Sequence, residues 1–291
     1  MTGRMMHRFH LAAVAAVAVI GFASVVSAAD LPVKAPFVSV VAPAPTWAGT
    51  YIGANIGWDW QNANSTNSAL PSPFAVNFFA LALSGGAIPN ATSQNGNGVL
   101  GGFTLGHNFQ NGSIVYGVEA DATWLNISKT SSTTTNIGTF GAFTYFPITT
   151  ATQTKIDWLS TLRARAGLLV LPQTLLYATG GFAVGRVNGS TSIIPMGSGP
   201  AETCSSNGFC SLGSGSETKL GLTIGGGAEY MLASHWTVKI EYLYYDLGHL
   251  SYTANEISSA LFERPFVGDP NLGIKTNITG SIVRAGVNLK F

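Results

Sequence analysis

Apolar and polar residues alternate with a period of two along eight separate stretches of the chain. Residues 51–60 set the pattern: Ile52, Ala54, Ile56, Trp58 and Trp60 fall on one face, and Tyr51, Gly53, Asn55, Gly57 and Asp59 on the other. Successive side chains of a strand point to opposite sides, so each stretch reads as a two-faced strand. The pattern repeats over 98–109, 114–126, 155–170, 175–187, 218–232, 236–248 and 277–291. One face carries large apolar side chains; the other carries Gly, Thr, Asn and most of the charge. Arg186 breaks the rule by falling on the apolar face, where its strand is expected to leave the membrane.

Runs of ten or more residues exceed the five or six usual for soluble strands and match the length that crosses a bilayer at a tilt. A soluble β-sandwich would also alternate, but an apolar face almost free of charge is what lipid requires. The connections separate the two further. Stretches 110–113 (containing Asn111 and Gly112), 171–174 and 233–235 are short enough for tight turns, whereas 61–97, 127–154, 188–217 and 249–276 are long. Short and long alternate, so all long connections leave from one side. The predicted fold is all-β: an eight-stranded antiparallel transmembrane β-barrel with short periplasmic turns and long extracellular loops. In hydrocarbon every backbone N–H and C=O must be paired within the protein, so the strand ending at Phe291 should pair with both the seventh and the first.

Tryptophan placement is independent of the alternation. Trp58, Trp60, Trp124 and Trp158 lie at strand ends beside long connections, and Trp47 and Trp236 at strand starts on the opposite side. Indole favours the headgroup level, so two aromatic girdles are expected.

Residues 1–29 read as a cleaved signal peptide: Arg4, His7 and Arg8 form a basic start, 11–22 an apolar stretch, and Val26, Ser27, Ala28 and Ala29 a small-residue cleavage site. Residues 30–46, with Pro32, Pro36, Pro43 and Pro45, read as an extended periplasmic tether, with a short plug inside the barrel as the alternative. The barrel domain is expected over 47–291. Removing Arg4 and Arg8 leaves 14 − 2 = 12 Lys plus Arg against 13 Asp plus Glu, a formal charge of −1. That balance gives no reason to expect nucleic acid as a partner. Charged residues are only 9% of the chain, against about 25% in a typical soluble domain.

The motifs WAGTYIGANIGW (47–58), YGVEAD (116–121), RARAG (163–167), YATGGFAVG (177–185), GGGAEY (225–230), KIEYLYYDLG (239–248) and IVRAGVNLKF (282–291), together with DLPVKAP and the Pro-rich tether, run in a fixed order. In that order the chain resembles the small outer-membrane β-barrel proteins of α-proteobacteria, which include major surface antigens of brucellae and their rhizobial counterparts. The resemblance covers the signal, the tether and all eight strands, but not the four long connections. It implies an abundant envelope protein of the Gram-negative outer membrane, in contact with outer-membrane lipid and lipopolysaccharide. It also implies that Val283, Ala285, Val287, Leu289 and Phe291 form the C-terminal signal read by the outer-membrane assembly machinery. Certain members of that family bind haemin.

The polar faces carry Glu119, Asp121, Asp157, Arg163, Arg165, Lys219, Glu229, Lys239, Glu241, Arg284 and Lys290. Eight strands enclose a space just wide enough to be filled by side chains, so these groups are expected to pair as an interior ionic network, a conducting pore being the alternative. Cys204 and Cys210 enclose five residues, and an exported chain favours a disulfide between them over a metal site, which would want further ligands. His249 and Ser251 are the residue types that outer-membrane lipid hydrolases use, but their spacing is not a family motif and no placed acid completes a triad, so no enzyme activity is expected. His249, or Tyr244, Tyr245 or Tyr252, has the chemistry of a haem ligand, while interfacial tyrosines have a simpler reading as girdle residues. No resident cofactor or metal is expected. The stretches QNANSTNSALPSP, SKTSSTTTN and GSGSETK read as soluble, mobile loops, where a surface ligand would be met. The expectation is a structural outer-membrane protein, with a small porin-like channel or a surface receptor or adhesin for haemin or a host molecule as rivals.

Overall fold

The computed structural model describes residues 46–71, 78–135, 139–140, 143–144, 147–195, 210–258 and 272–291. In chain order the elements are β1 (Gly49–Ala69), α1 (Phe78–Ser84), β2 (Ala91–Asn111), β3 (Ile114–Thr135), the two-residue β4 (Thr139–Phe140) and β5 (Phe143–Thr144), then β6 (Ile148–Leu171), β7 (Thr174–Pro195), β8 (Cys210–Ala233), β9 (Trp236–Ser258) and β10 (Leu272–Lys290). Eight of the strands close into one barrel in the order β1, β10, β9, β8, β7, β6, β3, β2, while β4 and β5 pair separately. Every pairing is antiparallel, and β10 bonds to both β9 and β1.

Registers define the shape. Stepping across the partners from Trp60 leads to Ser281, Tyr244, Ile224, Gly180, Ala164, Val118, His107 and then Thr50 on β1 again. One turn is therefore displaced by 60 − 50 = 10 residues along the strand. Such a stagger tilts the strands by roughly 35–45° and leaves an interior that side chains can fill. Correcting for this tilt puts Trp60, Trp124 and Trp158 at one height. About ten residues lower lie Phe109, Tyr116, Tyr230 and Trp236, all outward and exposed. Ten tilted residues span about 24 Å, the height of an apolar band in lipid. Between the two levels the outer surface is apolar, with Ile56, Phe103, Leu222 and Ile224 each about 64–65% exposed.

The strands run 19–24 residues, well past the bilayer. This corrects the expected loops: much of QNANSTNSALPSP lies in β1, nearly all of SKTSSTTTN in β3 and all of GSGSETK in β8. In these stretches polar residues stand on both faces, so little hydrophobic contrast betrays the period of two, yet the ladder continues because each backbone already has a paired neighbour. The expected tight turns are two-residue connections between β2 and β3, β6 and β7, and β8 and β9. Gly112 takes φ = +59° in the first of them, a conformation open to Gly without a steric penalty. No helix among the described residues is long and apolar enough to cross a membrane.

The interior is filled in three layers. At the lower end Trp47 packs with Val115, Leu175, Tyr177 and Met231. Charged side chains occupy the middle. Above them Leu100, Leu159, Leu243, Leu247 and Ile282 begin an apolar layer that continues upward to α1, whose Phe79, Ala82 and Leu83 belong to the same cluster. Trp47 is a correction to the girdle expectation. It is 1% exposed, its indole N–H donates to the Pro172 carbonyl at 3.2 Å, and its backbone N–H donates to Gln110 Oε1 at 2.7 Å. The barrel mouth offers the ring dry contacts on all sides, which the headgroup level does not.

Candidate functional site: the ionic layer of the barrel interior

Alternation aims Glu119 and Asp121 of β3, Arg163 and Arg165 of β6, Glu229 of β8, Lys239 and Glu241 of β9 and Arg284 of β10 at the barrel axis. Their side chains are 0–3% exposed. Arg163 stands at the centre. Its Nη2 reaches Glu119 at 2.5 Å and Asp121 at 2.8 Å, its Nη1 reaches Glu241 at 2.9 Å, and its Nε donates to Thr161 Oγ1 at 2.8 Å. Arg284 donates to Glu241 at 2.7 Å and Asp121 at 3.0 Å, and Lys239 to Glu119 at 2.8 Å. Arg165 donates to Glu229 at 2.7 Å and to the Tyr51 hydroxyl at 2.8 Å, with its guanidinium carbon 3.9 Å from the Tyr177 ring centre. Tyr51 in turn donates to Glu119 at 2.6 Å, and Tyr177 to Glu241 at 3.1 Å.

Four cations, Arg163, Arg165, Lys239 and Arg284, thus face four carboxylates, Glu119, Asp121, Glu229 and Glu241. Formal charge in the layer is zero. Bidentate and shared contacts of this kind stabilise charges that would be very costly if left alone in a dry interior. Glycines on the inward face keep room for these long side chains. A Cβ at Gly57 would stand 2.7 Å from the Cα and Cβ of Arg284.

Two residues expected in the network lie elsewhere. Asp157 sits at a bulge of β6 between Ile156 and Trp158, and its carboxylate is on the outer wall with Lys155 at 2.9 Å. Lys219 lies higher, at the level of Trp158, paired with Glu217 of its own strand and 22% exposed. Face parity identifies an inward position, but not its height along the axis, and a bulge resets parity altogether. Tyr51 and Tyr177 are network members that sequence reasoning missed; both lie on polar-face positions, which was the available signal. Lys290 lies at the lower rim and donates to the Thr46 carbonyl.

The remaining candidates do not converge. His249 is exposed on the outer face of β9, whereas Tyr252 points inward, 8% exposed, its hydroxyl 2.8 Å from Thr191 Oγ1. These two candidate haem ligands therefore lie on opposite faces of the barrel wall. Tyr245 is fully buried and donates to the Asp59 carboxylate at 3.0 Å, while Tyr244 stays outward. Cys210 is disulfide-bonded and 3% exposed; Cys204 lies outside the described residues, as do 1–45. Val283 and Val287 face outward on β10, at 37% and 45% exposure, and Phe291 is 68% exposed. Among the described residues no group of three or more His, Cys, Asp or Glu is placed to hold a metal.

The model of the family described as outer membrane protein beta-barrel domain matches residues 15–291. The 31 kDa outer-membrane immunogenic protein of Brucella melitensis is 28% identical over 273 residues, covering 93% of this chain and 95% of that protein. The 22 kDa outer membrane protein of Rhizobium leguminosarum is 27% identical over 186 residues, covering 64% and 63%. Among solved structures, OprG from Pseudomonas aeruginosa aligns over 84% of this chain and 96% of its own, with 15% identity and a TM-score of 0.44.

Proposed function

The chain belongs to the outer-membrane β-barrel family, and from that premise we propose that it works as a sealed structural barrel of the envelope rather than as a channel or an enzyme. The observation that carries this reading is the neutral ionic layer across the lumen, bounded by Trp47 below and by the apolar layer below α1 above. An ion entering the lumen would have to displace contacts that satisfy the buried charges of this layer. Signal removal at residue 29, the tether over 30–46 and recognition of Val283, Ala285, Val287, Leu289 and Phe291 by the assembly machinery belong to the same proposal. The extracellular ends would carry any ligand of the cell surface.

Planar-bilayer recording on refolded protein tests it. The expected result is little or no steady current; a stable open level that persists across voltage would replace the sealed barrel with a porin.

A further inference from the structure

Just above the upper tryptophan level, the outer wall of β6, β7 and β8 departs from the rest of the barrel. Successive cross-strand rungs there read Trp158–Arg186–Thr218, then Lys155–Asn188–Ser216, then Gln153–Ser190–Ser214. Arg186 is the one cation on its strand's lipid-side face, 55% exposed, at the height of Trp158. Lys155 is 45% exposed and bonds to the Asp157 carboxylate at 2.9 Å, with Arg186 Nε 4.0 Å from the same group and Asn188 Nδ2 donating to it at 2.7 Å. The cluster therefore carries one net positive charge, with Asp157 holding two cations side by side. Hydrogen bonding from Lys155 holds that carboxyl below the usual carboxylate range, against partial desolvation and with help from Asn188, so it stays ionised at neutral pH.

Above the cations the wall is hollowed. A groove of about 460 Å³ is lined by Gln153, Asn188, Ser190, Ser214 and Ser216. A second of about 450 Å³ shares Gln153, Ser190 and Ser214 with it and continues upward past Ser192. Hydroxyls and amides repeat on successive rungs, about 6.8 Å apart. Cations at headgroup height bind phosphate as charge-assisted partners, and a run of neutral donors and acceptors above them suits sugar hydroxyls.

We propose that this face binds a phosphorylated glycolipid of the outer leaflet, its phosphate on Arg186 and Lys155 and its oligosaccharide rising along the Gln153–Ser190–Ser214 groove. The inference rests on the barrel standing in the outer membrane with its long connections outward, and it is independent of whether the lumen conducts. Other lysines of the outer wall lack this combination: Lys275 is exposed well above the tryptophan level on β10.

The test is binding of two probes to the full-length protein in detergent micelles: diphosphorylated lipid A, and lipopolysaccharide with its core sugars. Arg186→Glu combined with Lys155→Glu should weaken both on the order of tenfold, whereas Ser190→Leu should weaken only the core-bearing probe and Lys275→Glu neither. Retention of wild-type binding by the charge-reversed variant overturns the site, as does an equal loss in Lys275→Glu. Displacement of lipid A by millimolar inorganic phosphate would also overturn it, reducing the cluster to a simple anion contact. Heat-dependent gel mobility reports folding of each variant, and Arg186→Gln is read on the same probes if the double variant misfolds. Failure to enter micelles at all would instead indict the barrel reading.

Discussion

Arg163 shows how much a single side chain can carry in a barrel of this width. It ties β6 to β3 and β9 through three carboxylates while 0% exposed. Arg163→Ala would leave Glu119, Asp121 and Glu241 short of a counter-charge in a dry interior, so it should cost about 3–5 kcal/mol, read as a lower urea midpoint for unfolding from lipid vesicles. Such buried partners were legible as residue types on a polar face. Their partners were not, because contacts across the lumen join positions 78 and 120 residues apart, such as Arg163 with Glu241 and Glu119 with Lys239. Trp47 was misread for a related reason: it precedes the first strand, where no alternation assigns it a side.

At the scale of the strand, depth decides what a substitution costs. Phe103 faces lipid near mid-bilayer and is 64% exposed to it, whereas Asn64 faces outward above the tryptophan level on β1. Phe103→Arg should destabilise by about 2–4 kcal/mol and Asn64→Arg by about 0–1 kcal/mol, compared as unfolding midpoints in the same vesicles. Equal costs at both depths would displace the membrane boundary drawn from the tryptophans. Within the bilayer the strands were readable because their two faces meet opposite solvents. Above it the alternation persists, as in Gln61, Ala63, Ser65 and Asn67, which are all buried, but its amplitude in polarity has vanished.

The molecule as a whole is held by closure. With β10 bonded to β1, no edge is left in the hydrocarbon, where an unpaired backbone group costs several kcal/mol. Leaderless protein should therefore fold in detergent or vesicles, with the shifted gel mobility of an intact barrel, and aggregate in detergent-free buffer. A stable monomer in buffer would contradict it, since Ile56, Phe103, Leu222 and Ile224 would then face water. Strand number, faces, sidedness of the connections and the tight turns follow from local pattern, because solvent contrast and turn chemistry act within a few residues. The stagger of ten residues, the pairings inside the ionic layer, the inward turn of Trp47 and the outward turn of Asp157 depend on how distant strands meet. No local preference encodes a register around a closed ring; only the packed interior selects it.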